Sequence, residues 1–225
     1  GENFSSIYLG GSPTPCGDDL YVGIRDGQAL ALDRRTGETI WRWADGEELD
    51  SSFVVTEDAL YFGDTRDCVQ ALDRATGAPL WCHQMLDDTL ASPALVDGVI
   101  YSSDKSGQVV ALRASDGSLL WSRSLGSTAS ASTSFSEGLD RFVLGVRGGP
   151  VTAFDAATGD VAWTFVTGEE VLSTAAWGDD AWFVGSWDNR LYALEYDGTM
   201  RWSFETGANI TTSPVRCPFC GRQST

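Results

Sequence analysis

The chain of 225 residues carries 15 basic and 32 acidic side chains, a net charge of −17, and is 42% hydrophobic, with nine Trp, ten Phe and six Tyr. That aromatic content supplies a core and excludes wholesale disorder, the length holds one domain or two, and no run approaches the ~18 apolar residues of a membrane-spanning helix. Charge of this sign repels phosphate backbones and anionic lipid, which excludes nucleic acid as a partner.

In chain order, the segment from Asn3-Phe4 to Ser12-Pro13 reads as the tail of one strand leading into another. Five repeats follow. In each, a short run led by Ser-Pro or its equivalent (strand A) gives way to an acidic turn, as at Gly17-Asp18-Asp19 and Asp97-Gly98. An aromatic or β-branched run ending in a small residue comes next (strand B): Leu20–Gly23, Leu60–Gly63, Ile100–Ser103, Phe142–Gly145 and Trp182–Gly185. Strands C and D are joined in a single signature, Ala31-Leu32-Asp33-Arg34-Arg35-Thr36-Gly37-Glu38-Thr39-Ile40-Trp41. It returns from Ala71 to Trp81, Ala111 to Trp121, Ala153 to Trp163 and, one residue shorter, Ala193 to Trp202. The closing tryptophans stand 40, 40, 42 and 39 residues apart. Strand A appears once more at Ile210–Val215.

Short strands bounded by Gly, Asp and Asn are a hairpin signal, and no window holds a helical period. Four strands in roughly 40 residues make the blade of a β-propeller. The expected fold is therefore all-β, a propeller of four-stranded antiparallel blades over residues 1–216 with five complete repeats plus terminal strands, and a tail from 217 to 225. Three closures stay open: a five-bladed ring with a displaced terminal strand, a partial sixth blade built by the two ends, or a piece of a longer propeller.

The Ala-x-Asp-x-x-Thr-Gly-x-x-x-Trp signature, preceded by runs such as Tyr21-Val22-Gly23, resembles the tryptophan-docking repeat of the pyrroloquinoline quinone (PQQ) quinoprotein propellers and their non-enzymatic relatives, among them the bacterial outer-membrane assembly lipoprotein. The resemblance implies that Trp41, Trp81, Trp121, Trp163 and Trp202 each lock one blade to a neighbour near Gly37, Gly77, Gly117, Gly159 or Gly198. It raises two functions: a scaffold or binding module for protein partners, and a PQQ-dependent dehydrogenase or a fragment of one. The residues favour the first. No adjacent cysteines are present to form a vicinal disulfide over a quinone, and the acidic residues fall in repeated turns where turn formation and solvation account for them. Neither PQQ nor another cofactor is expected.

Other chemistry finds few candidates. His83 is the single histidine, which excludes a histidine-rich zinc site, and no Gly-x-x-x-x-Gly-Lys or Gly-x-Ser-x-Gly occurs. Cations recur after strand B at Arg25, Lys105 and Arg147, offering either an anion site or local pairing with acidic loops at Asp87, Asp88, Glu169 and Glu170; pairing is expected. The five cysteines, Cys16, Cys68, Cys82, Cys217 and Cys220, are an odd number, which argues against a full disulfide framework and for a reducing compartment. Cys217-Pro218-Phe219-Cys220 has the shape of a zinc knuckle, and Cys16 occupies the same repeat position as Cys217; the three make a candidate zinc site, within one chain or as a clasp between two through their ends. No signal-peptide pattern opens the chain, so a cytoplasmic protein is expected, or an exported one if a leader has been removed. Twenty-two Asp against ten Glu, with Lys105 alone against 14 Arg, is the composition of a salt-adapted, haloarchaeal-type protein.

Overall fold

Each C–D signature closes a hairpin by the same local chemistry. The Asp33 carboxylate accepts from the backbone N–H of Arg35 and Thr36 at 2.9 and 2.7 Å. Asp73 does so from Thr76 and Asp155 from Thr158, at 2.8 and 2.9 Å; in the third and fifth repeats, where Arg113 and Glu195 hold that position, Asp116 and Asp197 beside the glycine accept instead from the N–H of Ser118 and Thr199, at 2.9 and 3.0 Å. The side chain thus satisfies donors that the turn would leave bare. The glycine that follows carries φ of +74° at Gly37 and +71° at Gly77, a conformation that only a residue without Cβ takes freely. Just past the turn, the C–D ladder slips by a bulge, between Ala31 and Leu32 in the first repeat and at the matching position in the other four. The bulge re-aims strand D and its tryptophan.

The structure, a computed structural model, describes residues 11–214 except 25, 47, 90, 130, 137, 139 and 179. Its twenty strands form five four-stranded antiparallel sheets, each in chain order A-B-C-D. The first blade is β1–β4 (Thr14–Cys16, Asp19–Ile24, Gln28–Asp33, Thr39–Ala44) and the second β5–β8 (Val54–Val55, Ala59–Gly63, Cys68–Asp73, Pro79–Gln84). The third is β9–β12 (Ala94–Val96, Val99–Ser103, Gln108–Arg113, Leu119–Ser124). The fourth is β13–β16 (Ser134–Phe135, Arg141–Gly145, Pro150–Asp155, Val161–Val166) and the fifth β17–β20 (Ala176–Trp177, Trp182–Gly185, Arg190–Leu194, Met200–Glu205). No helix occurs among the described residues.

The chain divides into two compact units. Residues 1–133 hold the first three blades and residues 134–225 the last two. In both, the core lies between successive blades. Tyr21, Ala29, Ala31 and Trp41 of the first blade pack on Leu60, Phe62 and Leu72 of the second. The second meets the third through Tyr61, Val69 and Met85 against Ile100, Val110 and Leu112. In the other unit, Val143, Val151 and Ala153 pack on Trp182, Val184 and Leu194. Burying both faces of strands B and C explains why those runs are continuously apolar.

Two expectations are corrected. Ile210–Pro214, the described part of the sixth strand A, forms no strand. Each strand A pairs with its own strand B, and Ile210–Pro214 has no such partner among the described residues. Cys68 and Cys82, read as thiols, form a disulfide. They stand on the neighbouring strands β7 and β8, where Cys68 is opposite Gln84 and Cys82 opposite Gln70, a diagonal that places their Cα atoms 5.9 Å apart.

Candidate functional site

The repeat tryptophans and the turns they meet are the most regular side-chain constellation in the molecule. Trp41 Nε1 donates to the carbonyl of Arg74 at 2.9 Å, and its ring lies so close to Gly77 that a Cβ there would stand 2.6 Å from it. Trp81 repeats this with the Ala114 carbonyl at 3.0 Å and Gly117, and Trp163 with the Tyr196 carbonyl at 2.9 Å and Gly198. In each case the indole satisfies its N–H while its face covers a bare backbone. Trp121 is buried beside the ring of Tyr101. Trp202 is 41% exposed beside Phe183.

Arginines add polar contacts in both directions. Arg74 reaches back to the first blade, its Nε donating to the Tyr21 hydroxyl at 2.8 Å and its Nη2 meeting Asp19 and the Cys16 carbonyl at 3.3 Å. Arg141 stacks its guanidinium over Tyr196, 4.1 Å from the ring centre. A further element escapes the sequence reading. Ser12 N–H donates to Ser52 Oγ at 2.9 Å, Ser52 N–H to Ser92 Oγ at 2.9 Å, and Ser92 N–H to Ser132 Oγ at 3.2 Å. Thr174 N–H donates likewise to Ser213. These serines open the strand-A runs at the repeat spacing, so the signal was there, hidden by the ordinary abundance of serine in turns. Through Ser213 the Ile210–Pro214 segment keeps the place of a strand A without its ladder.

The cations after strand B are engaged. Lys105 is ion-paired with Asp88, and Arg147 Nε lies 3.9 Å from Glu170, the acidic loops expected to receive them; Arg25 is outside the described residues. Asp88 also belongs to a group with Asp67 and Asp87 whose carboxylate oxygens lie within 4.8 Å of one another. Burial, and then the neighbouring Asp88 and Asp87 charges, push the Asp67 carboxyl above its usual range. Asp64 is wholly buried and its carboxyl is pushed up by that burial, although it accepts from Gln70 and from the N–H of Arg66 and Cys68. His83, half-buried, has Nδ1 3.2 Å from the Gly117 carbonyl, and burial lowers its pKa. Cys16 ends β1 half-buried with a free thiol; Cys217 and Cys220 lie outside the described residues.

The acidic group found among the described residues already contains a lysine ammonium, and the turn aspartates spend their oxygens on backbone donors.

Blades of this order, closed on the next within each unit by a tryptophan and a glycine turn, define a β-propeller of PQQ-like repeats. The chain belongs to the family described as outer membrane protein assembly factor BamB, whose model matches residues 5–143 and 137–218. Among solved structures it is similar to BamB from Moraxella catarrhalis (TM-score 0.78, 23% identity, 91% of this chain and 63% of that one). It is also similar to the computationally designed Ika8 protein (0.70, 18%, 87% and 57%) and to quinohemoprotein alcohol dehydrogenase from Comamonas testosteroni (0.77, 14%, 89% and 43%). At these identities the likeness is one of fold, and the chain spans less than two thirds of each of those proteins. No curated protein sequence matches it. No helix among the described residues is long and apolar enough to cross a membrane.

Proposed function

We propose that the chain is a non-catalytic scaffold, a set of rigid blades that presents loops to a protein partner. The observation that carries this reading is the commitment of its carboxylates. Asp33, Asp73, Asp155 and Asp197 are held in equivalent turns by backbone donors, in a pattern repeated from blade to blade rather than converging on one place. A catalytic acid or base must instead meet a reacting atom at a single point. The family's description as an assembly factor supports a protein as the partner, and the net charge of −17 favours a partner with a basic surface. The Cys68–Cys82 disulfide fits an oxidising compartment, so we place the protein outside the reducing cytoplasm.

The competing dehydrogenase reading is separated directly. Purified chain mixed with PQQ, calcium and a panel of alcohols and aldose sugars is expected to leave an artificial acceptor dye oxidised and to show no thermal shift. Dye reduction above the protein-free control overturns the scaffold reading. A pull-down at high salt, followed by competition with the purified partner, identifies what the loops bind.

A further inference from the structure

The two sulfurs that join strands C and D of the second blade have unequal surroundings. Cys68 opens β7, a strand paired on both sides, with β6 and β8, and is wholly buried. Its N–H donates to the Asp64 carboxylate at 3.0 Å, which holds its backbone without help from the sulfur bond. Cys82 lies on β8, which pairs with β7 alone, and is exposed. The second blade packs on the first and the third within one unit, so β8 sits at a blade edge rather than at an end of the blade series. In two other blades the same diagonal is bridged without a covalent bond. In the third, Gln108 Nε2 donates to Ser122 Oγ at 3.1 Å, and in the fifth Arg190 Nη1 donates to Ser203 Oγ at 3.2 Å. The registers match: Cys68 stands opposite Gln84, Gln108 opposite Ser124 and Arg190 opposite Glu205. A blade of this kind therefore closes with a hydrogen bond where the second has a sulfur bridge.

We propose that Cys68–Cys82 is an exchange-active disulfide: Cys82 is a modification site for small thiols, and Cys68 is the thiol that resolves the adduct. A thiolate attacks one sulfur of a disulfide and expels the other, so the sulfur it can reach sets the product. Of the two, Cys82 faces solvent and Cys68 does not. The incoming thiolate bonds to Cys82 Sγ, the bond between the two Sγ atoms breaks, and its electron pair leaves on Cys68 Sγ, which takes a proton from water. One disulfide is consumed and one is formed, so no separate oxidant or reductant is needed. In the reverse step Cys68, as thiolate, attacks Cys82 Sγ and expels the small thiol. The β7–β8 ladder and the Asp64 hydrogen bond keep Cys68 beside Cys82. That step is intramolecular and outruns attack from solution. The blade thus takes up a thiol while its concentration is high and returns it when the concentration falls, with the fold kept throughout.

The whole chain carrying Cys16→Ser, Cys217→Ser and Cys220→Ser, in which the pair alone can react, provides the test. It is incubated folded with reduced glutathione, quenched with acid and mapped by peptide mass. The trapped adduct is expected on Cys82, with Cys68 a free thiol and the circular dichroism spectrum unchanged. After dilution into thiol-free buffer the adduct is expected to collapse back to the bridge. With Cys68→Ser added, an adduct loaded onto Cys82 from oxidised glutathione is expected to last at least about tenfold longer under the same dilution. An adduct on Cys68 overturns the proposal, as does a bridge that reacts only once denaturant has unfolded the chain. So does a reduced chain that loses its spectrum, or an adduct of equal lifetime with and without Cys68.

Discussion

Gly37 and Gly77 differ in one respect that a pair of substitutions isolates. Both hold a left-handed turn, at +74° and +71°, so alanine at either carries the same backbone penalty of about 1 kcal/mol. Only Gly77 has an indole 2.6 Å from its missing Cβ. In dilute protein, Gly77→Ala is expected to cost about 1–3 kcal/mol more than Gly37→Ala, the range for overpacking; equal unfolding midpoints would show that Trp41 is not seated there. His83 gives a second test. Burial lowers its pKa from 6.5 in the folded protein, while the unfolded chain keeps the ordinary value. The unfolded state therefore takes up the proton first as pH falls, and the stability present above pH 6.5 is lost as pH drops through the folded pKa. Being the single imidazole, it should appear in proton NMR as one titration with a midpoint below 6.5, and His83→Gln should remove its share of the slope. Zinc on Cys16, Cys217 and Cys220 is a third residue-level expectation, checked by metal analysis of protein purified without chelators; Cys220→Ser should abolish any zinc found.

At the scale of the blade, the tryptophan that closes each repeat is expected to be structural. Trp81→Ala should cost about 3–5 kcal/mol, the range for removing a large buried aromatic, and Trp202→Ala in dilute protein far less, because its ring is 41% exposed. Costs below about 1 kcal/mol at Trp81 would undo the docking role. The blade was also the most legible level in the sequence. Period, strand order and the turn chemistry of Asp, Thr and Gly are all local, and each repeat restates them. What could not be read was set by partners across strands or blades. Whether Cys68 meets Cys82 depends on a two-residue diagonal in the β7–β8 register, and the odd cysteine count pointed away from it. Whether Ile210–Pro214 becomes a strand depends on a strand B to receive it. The serine ladder depends on how closely neighbouring strand-A runs approach. The commitment of Lys105 to Asp88 was legible as an expectation because loop and turn alternate in sequence.

For the whole molecule, 32 acidic residues against 15 basic ones make self-repulsion the dominant long-range term. Screening by salt relieves it, so unfolding midpoints should climb as KCl rises from tenths of molar to molar, and equal midpoints across that range would remove the salt-adaptation reading. Repeats that touch only their neighbours also give way one after another when stress is applied along the chain. Pulled from its ends, a repeat of 40 residues releases up to about 14 nm of contour at ~3.6 Å per residue. The second blade cannot. The Cys68–Cys82 bond, spanning 14 residues, withholds about 5 nm of its length until reductant is added. In a force–extension trace one sawtooth step is therefore expected to be short under oxidising conditions and to reach the length of the others under reducing ones, marking which blade has come apart.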